Sequence, residues 1–119
     1  MPLDEVRALS HEILMRMLPG IASRDLDLFG SSINAVQGLG FKKVEISLQP
    51  PQVTGLLPLL RDAGAAGAGL SSFGPAVYAI GDTNMGSIEQ AARSFMEESG
   101  GGSTILTNAR NTGASVRVV

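Results

Sequence analysis

The sequence predicts an α+β domain, with helices layered on one face of a mainly antiparallel sheet. Three observations carry that expectation. Apolar residues recur in steps of three and four over several stretches, the stripe of an amphipathic helix. Other short runs alternate at period two or are continuously apolar, as strands do. In the second half the strand candidates come in consecutive pairs, which favours hairpins and antiparallel pairing over a parallel crossover sheet. A length of 119 residues suits one ordinary domain with one core.

The first helix is expected over residues 3–18, from the stripe Leu3, Val6, Leu9, Ile13, Leu14 and Met17, with Pro19-Gly20 ending it. Ser23 can cap a second helix carrying Asp25 and Asp27 in its first turn, where the helix dipole favours anions. Leu26, Phe29, Ile33 and Val36 form its apolar face, and Gly38 and Gly40 stop it. Val44–Leu48 alternates apolar and polar, so a short strand is expected there. Pro51 suits the first turn of a third helix, with Val53, Leu56, Leu57 and Leu60 on one face and Gly64 beyond its end. A hairpin is expected between residues 70–72 and 76–80. Ser87 with Gln90 fits a capping box, ahead of a helical face of Ile88, Ala91, Ala92, Phe95 and Met96. Gly100-Gly101-Gly102 ends that helix. Residues 104–107 and 114–119 read as two closing strands. The order is ααβαββαββ, a helical pair over 3–38 and then sheet and helices over 42–119. The nearest familiar architecture is a ferredoxin-like sandwich with a four-stranded antiparallel sheet and helices on one face.

Composition narrows the function classes. Nine Lys and Arg against eleven Asp and Glu leave a net charge of −2, without the basic excess of a nucleic-acid domain. Four Phe, one Tyr and no Trp offer little for base stacking. With no Cys there is no disulfide framework, thiolate zinc site or Cys nucleophile. His11 is the one histidine, so a His-rich metal site is excluded. No apolar run approaches a membrane span, and the first residues lack the basic and apolar regions of a signal peptide. The expectation is a cytoplasmic domain with no nucleic-acid or membrane partner and no metal site of its own.

The segment Gly64–Pro75 is the most informative. Small residues let backbone approach backbone, or a ligand, without Cβ collisions. Free N–H groups in such a loop can also form an anion-binding nest. Neither named phosphate motif fits. The spacing is G-x-x-G-x-G between a helix and a strand, not G-x-G-x-x-G between a strand and a helix, and no G-K-[ST] is present. The glycines therefore serve either a tight helix-to-strand connection or a turn, Ser71-Ser72-Phe73-Gly74, that faces a phosphate or carboxylate. A second candidate is Asn108-Ala109-Arg110-Asn111, where turn-forming asparagines flank an arginine able to clamp an anion. His11, Asp82, Lys42, Lys43, Glu97 and Glu98 read as solvated or capping residues.

The stretch Arg61–Ile80 resembles the third motif of the GHMP small-molecule kinase superfamily. Three further stretches, Ile13–Pro19, Asp27–Gln37 and Thr107–Ala114, narrow the resemblance to the C-terminal domain of its archaeal β-ribofuranosylaminobenzene 5′-phosphate synthase branch. The resemblance implies a GHMP-kinase C-terminal-like fold. It also implies a role in methanopterin synthesis, where the ribose phosphate of phosphoribosyl pyrophosphate joins a hydroxy- or aminobenzoate as pyrophosphate and carbon dioxide leave. The residues expected to bind substrate are Gly69, Ser71, Ser72, Phe73 and Gly74 of the loop, then Asn108 and Arg110. Mg²⁺ would belong to the complete enzyme, with no cofactor held in this chain. The family's Pro-x-x-x-Gly-Leu-Gly-Ser-Ser-Ala phosphate loop, which opens a helix in an N-terminal domain, does not occur here. The expected partner is accordingly a separate N-terminal GHMP domain chain or a second copy in a homodimer, and the isolated chain is expected not to turn over. A small-molecule-binding or regulatory module, or part of another GHMP kinase, is the alternative.

Overall fold

In the computed structural model, which describes residues 1–119, the chain opens with one long helical run. Helix α1 (Leu3–His11) passes into a π-helical segment (Glu12–Met17) and then α2 (Leu18–Ala22). Pro19 and Gly20, expected to end the helix, lie inside it. A proline has no N–H for the helix ladder and its ring crowds the carbonyl one turn back; here the widened π turn comes just before it. Gly20 is buried, and a Cβ there would come 2.8 Å from the Phe29 nitrogen, so α2 crosses the next helix at backbone contact.

Helix α3 (Leu26–Gln37) is capped by Asp25, whose carboxylate accepts from the Leu28 amide at 3.0 Å. Ser23, the expected cap, instead donates its hydroxyl to the Pro19 carbonyl at 2.7 Å and finishes the preceding helix. The expected strand Val44–Leu48 is helical, within α4 (Gly40–Ser47). Alternation over five residues does not separate a strand from a helix when the apolar positions also fit steps of three and four. Phe41, Val44 and Leu48 share an exposed face, while Lys42 and Glu45 pair at 2.6 Å across i,i+3, a spacing that meets on a helix and not along a strand. Lys43 bonds to Glu5 of α1, and its ammonium holds the Glu5 carboxyl below the usual carboxylate range.

The third predicted helix forms as α5 (Pro51–Thr54) and α6 (Leu56–Asp62), broken at Gly55. Val53, Leu57 and Leu60 are buried. The sheet has two strands, β1 (Gly67–Leu70) and β2 (Val77–Ile80), paired antiparallel with Gly67 opposite Ile80 and Leu70 opposite Val77. Its first strand is the small-residue run itself, not residues 70–72. Helix α7 (Met85–Glu98) starts before the predicted capping box, at Asn84, so Ser87 and Gln90 do not cap it. Asn84 Nδ2 instead donates to the Gly64 carbonyl at 2.7 Å and ties α7 to the entry of the hairpin.

The remaining predicted strands, 104–107 and 114–119, are unpaired, and the four-stranded sheet is reduced to two strands. Alternation makes a strand only where a sheet edge accepts the backbone and a packed face covers the side chains. Ile105 at 88% exposure and Val118 at 99% have neither. The core is built from Leu57 and Leu60 of α6, Ala68 of β1, and Ile88 and Ala92 of α7. One face of the hairpin therefore sits on α6 and α7, while α3 lies along β1.

Candidate anion-binding turn

Helix α3 closes the edge of β1 that β2 leaves open. Asn34 Oδ1 accepts from the Ala68 amide at 2.9 Å, and Gln37 Oε1 accepts from the Leu70 amide at 3.0 Å. Spaced i,i+3, both side chains leave the same face of α3 and meet alternate outward amides of the strand. Arg61 of α6 completes the clamp, donating from Nε to Asn34 Oδ1 at 2.9 Å and from its terminal nitrogen to the Ala68 carbonyl at 3.1 Å. Partial burial lowers the Arg61 pKa from its ordinary value. The helix comes this close because Gly30 lacks a side chain; a Cβ there would lie 2.1 Å from the Ala66 carbonyl oxygen.

Gly69 faces Tyr78 across the strands. A Cβ on Gly69 would lie 2.6 Å from the Tyr78 hydroxyl oxygen and 2.8 Å from Gln37 Nε2, so the phenol folds over the glycine towards Gln37. Burial pushes the Tyr78 pKa up, and hydrogen bonding from Gln37 partly opposes the shift.

The turn Ser71–Gly74 projects beyond this clamp. The Gly74 amide donates to the Ser71 carbonyl at 2.8 Å. Lys42 Nζ donates to the Ser72 carbonyl at 2.8 Å, and Gln49 Nε2 donates to the Phe73 carbonyl at 2.6 Å. The carbonyls of Ser71, Ser72 and Phe73 are thus occupied. The amides of Ser72 and Phe73 and the hydroxyls of Ser71 and Ser72 have no partner within the protein. Ser72 has φ +49° and Gly74 φ +81°, left-handed conformations that bend the turn sharply. The exposed surface is rich in donors with its nearby acceptors engaged, the arrangement that suits an anion.

Five of the sequence-predicted residues therefore fall on one hairpin: Gly69 under Tyr78, and Ser71, Ser72, Phe73 and Gly74 in the turn. Phe73 is 73% exposed. Asn108 and Arg110 lie in the exposed segment after α7, where Arg110 donates to Thr112 and to the Gly113 carbonyl. The structure shows no hydrogen bond between them and the hairpin. A cleft of about 440 Å³ is at the other end of the hairpin, lined by Asp27, Gly64, Ala65, Ala66, Asp82 and Asn84 among others. None of the predicted site residues lines it. No three His, Cys, Asp or Glu side chains converge to hold a metal ion, and no helix is long and apolar enough to cross a membrane.

Sequence reasoning missed Asn34, Gln37, Lys42, Gln49, Arg61 and Tyr78 as the residues that shape this hairpin. Asn34 and Gln37 carried a signal. Two carboxamides three apart on an otherwise apolar helical face are polar groups that need buried partners. Lys42 and Gln49 carried none, because reading α4 as a strand hid their spacing.

Residues 17–98 match the family described as GHMP kinases C terminal, and the chain belongs to that family. Among individual proteins, it is 46% identical over 114 residues to the β-ribofuranosylphenol 5′-phosphate synthase of Methanothermobacter thermautotrophicus, covering 96% of this chain and 34% of that relative. The enzyme of the same name from Archaeoglobus fulgidus is 43% identical over 118 residues, covering 98% of this chain and 36% of the relative. That from Methanocaldococcus jannaschii is 44% identical over 115 residues, covering 97% and 34% respectively. The chain thus spans about a third of the length of these curated relatives and matches them over nearly all of its own.

Proposed function

We propose that this chain supplies an anion-binding part of a β-ribofuranosylphenol 5′-phosphate synthase, the activity for which its relatives are named. The observation that carries the reading is the Ser71–Gly74 turn, whose free amides and hydroxyls face solvent while its carbonyls are engaged behind it. In the reaction that the family resemblance implies, a ribosyl phosphate is transferred from phosphoribosyl pyrophosphate to a hydroxy- or aminobenzoate. Pyrophosphate and carbon dioxide leave. The donor carries a phosphate and a diphosphate, and positive charge develops at the ribosyl carbon as the diphosphate departs. Fixed N–H and O–H donors stabilise the negative charge gathering on such a leaving group.

In this proposal Ser71 donates its hydroxyl and Ser72 its hydroxyl and amide hydrogens to a phosphate oxygen, Phe73 donates its amide, and Gly69 and Gly74 set the backbone. Asn108 and Arg110 supply a second anion contact from the segment after α7. No three carboxylate or imidazole groups of this chain converge, though magnesium needs only one or two carboxylates when phosphates and waters supply its other ligands. Magnesium would enter the complete enzyme with the diphosphate, and no step here is routed through it. In this reading the chain works in the cytoplasm against a covering partner, either a region equivalent to the remainder of its relatives or a second copy, and does not turn over alone. The exposed Leu14, Met15, Leu18 and Ile21 support a covered apolar surface.

An amide NMR titration of the purified chain with phosphoribosyl pyrophosphate and magnesium tests the site. Shifts localised to Gly69–Gly74 and Asn108–Arg110 are expected, with no pyrophosphate released after a hydroxybenzoate is added. A well-dispersed spectrum that does not change would overturn the binding role, and turnover by the chain alone would overturn its dependence on a partner. Shifts with ATP but not with the ribosyl donor would assign the turn to a kinase of the same superfamily instead.

A further inference from the structure

We infer that Lys42 and Gln49, at either end of the α4 region, are positioning residues that hold the Ser71–Gly74 turn with its donors outward. The inference rests on the anion-binding reading above and adds the device that prepares that site. A four-residue turn between two short strands has few contacts of its own. Its carbonyls would compete for space with its amides if the peptide planes were free to rotate. Three bonds fix those planes. One is internal, from the Gly74 amide to the Ser71 carbonyl. The other two come from outside the hairpin, from Lys42 to Ser72 at 2.8 Å and from Gln49 to Phe73 at 2.6 Å.

Both outside bonds end on carbonyl oxygens, so they turn the acceptors of adjacent peptides towards α4. Lys42 is itself directed by Glu45, which accepts from Nζ at 2.6 Å. That pairing reduces the free charge of Lys42 while keeping its donor aimed at Ser72. Gln49 also packs against the other end of the turn, since a Cβ on Gly74 would lie 2.7 Å from Gln49 Oε1. Ser72 sits at φ +49°, a conformation that an L-residue rarely holds without outside support. The peptide donor pattern is thus imposed from α4, although neither side chain need touch the ligand.

The test uses the full 119-residue chain, with inorganic pyrophosphate as the probe. Affinity is read from the Ser72 and Phe73 amide shifts, and the backbone state from the Ser72 amide-to-Hα coupling without ligand. Gln49→Met removes a donor without changing charge. It is expected to weaken binding about five- to tenfold, the effect of losing one positioning hydrogen bond, to alter the Ser72 coupling, and to leave the melting temperature nearly unchanged. Lys42→Met should do the same, and Lys42→Arg, which keeps a donor, should restore most of the affinity. If wild type binds and both Met variants bind equally well, the positioning role is wrong while the site survives. If wild type shows no shift at the turn, the site and its positioning fail together. A salt dependence of affinity that flattens in Lys42→Met but not in Gln49→Met would show Lys42 touching the anion directly, and would overturn its positioning role.

Discussion

Replacing Asn34 with leucine removes the acceptor that joins α3 to both β1 and α6. Asn34 Oδ1 takes hydrogen bonds from the Ala68 amide and from Arg61 Nε, each at 2.9 Å. Ala68 is 0% exposed, so its amide has no water to turn to. A buried donor left without a partner costs about 1–3 kcal/mol. Arg61 keeps its bond to the Ala68 carbonyl and is only partly buried, so its loss adds only about 0.5–1 kcal/mol. The sum, about 1.5–4 kcal/mol, is a large share of the roughly 5–15 kcal/mol that holds a domain folded. At roughly 4 °C per kcal/mol for a chain of this size, the melting temperature should fall by about 6–16 °C. Asn34→Asp keeps the acceptor and faces Arg61 with a charge, so it should lose less than half as much. Urea unfolding followed by circular dichroism measures the difference, and hydrogen exchange at the Ala68 amide locates it. A loss under about 1 kcal/mol, or unchanged Ala68 exchange in Asn34→Leu, would refute the claim that side chains of α3 complete the edge of β1.

Gly30→Ala should be still more damaging, at about 3 kcal/mol or more, because its Cβ would lie 2.1 Å from the Ala66 carbonyl and must push β1 off α3. Gly86→Ala is the control: nothing lies within 4 Å of its Cβ, and in α7 it should gain about 0.5 kcal/mol in the same melt. Tyr78 is the one tyrosine, so ultraviolet difference absorbance follows it without ambiguity. Its pKa is raised in the folded state, which therefore holds the phenolic proton more tightly than the unfolded chain does. The resulting stabilisation is fully present below the unfolded value near pH 10 and is lost as pH rises through the folded value. Gln37→Leu removes the hydrogen bond that opposes the shift and should raise the value further, whereas a wild-type midpoint at or below pH 10 would contradict the burial of the phenol.

Helix positions were legible wherever a stripe was long enough to outweigh local breakers. Residues 3–18 announced a helix, and the chain continued it through Pro19 and Gly20 because a π turn made room for the proline ring. Val44–Leu48 misled because a five-residue alternation fits either period; its helix is settled by Ile46 reaching the core and by Lys42 meeting Glu45. Residues 104–107 and 114–119 have strand patterning but no edge or covering face in this fold, so the pattern does not form a strand. Of the candidate site, the Gly-rich hairpin and its serines were visible as letters, and the four matching stretches pointed to the family that residues 17–98 confirm.

The amino-acid order thus carried the α+β class, most helices, the hairpin and the family, because propensity, apolar period and motif spacing are local properties that survive without partners. The donor-rich character of the turn, the clamp of Asn34, Gln37 and Arg61, and the bracing by Lys42 and Gln49 arose from folding. Each depends on groups 7 to 34 residues apart in the chain meeting within hydrogen-bond distance. Which amides remain free depends on which carbonyls their neighbours have already engaged, and that follows from how α3, α4 and the hairpin pack together.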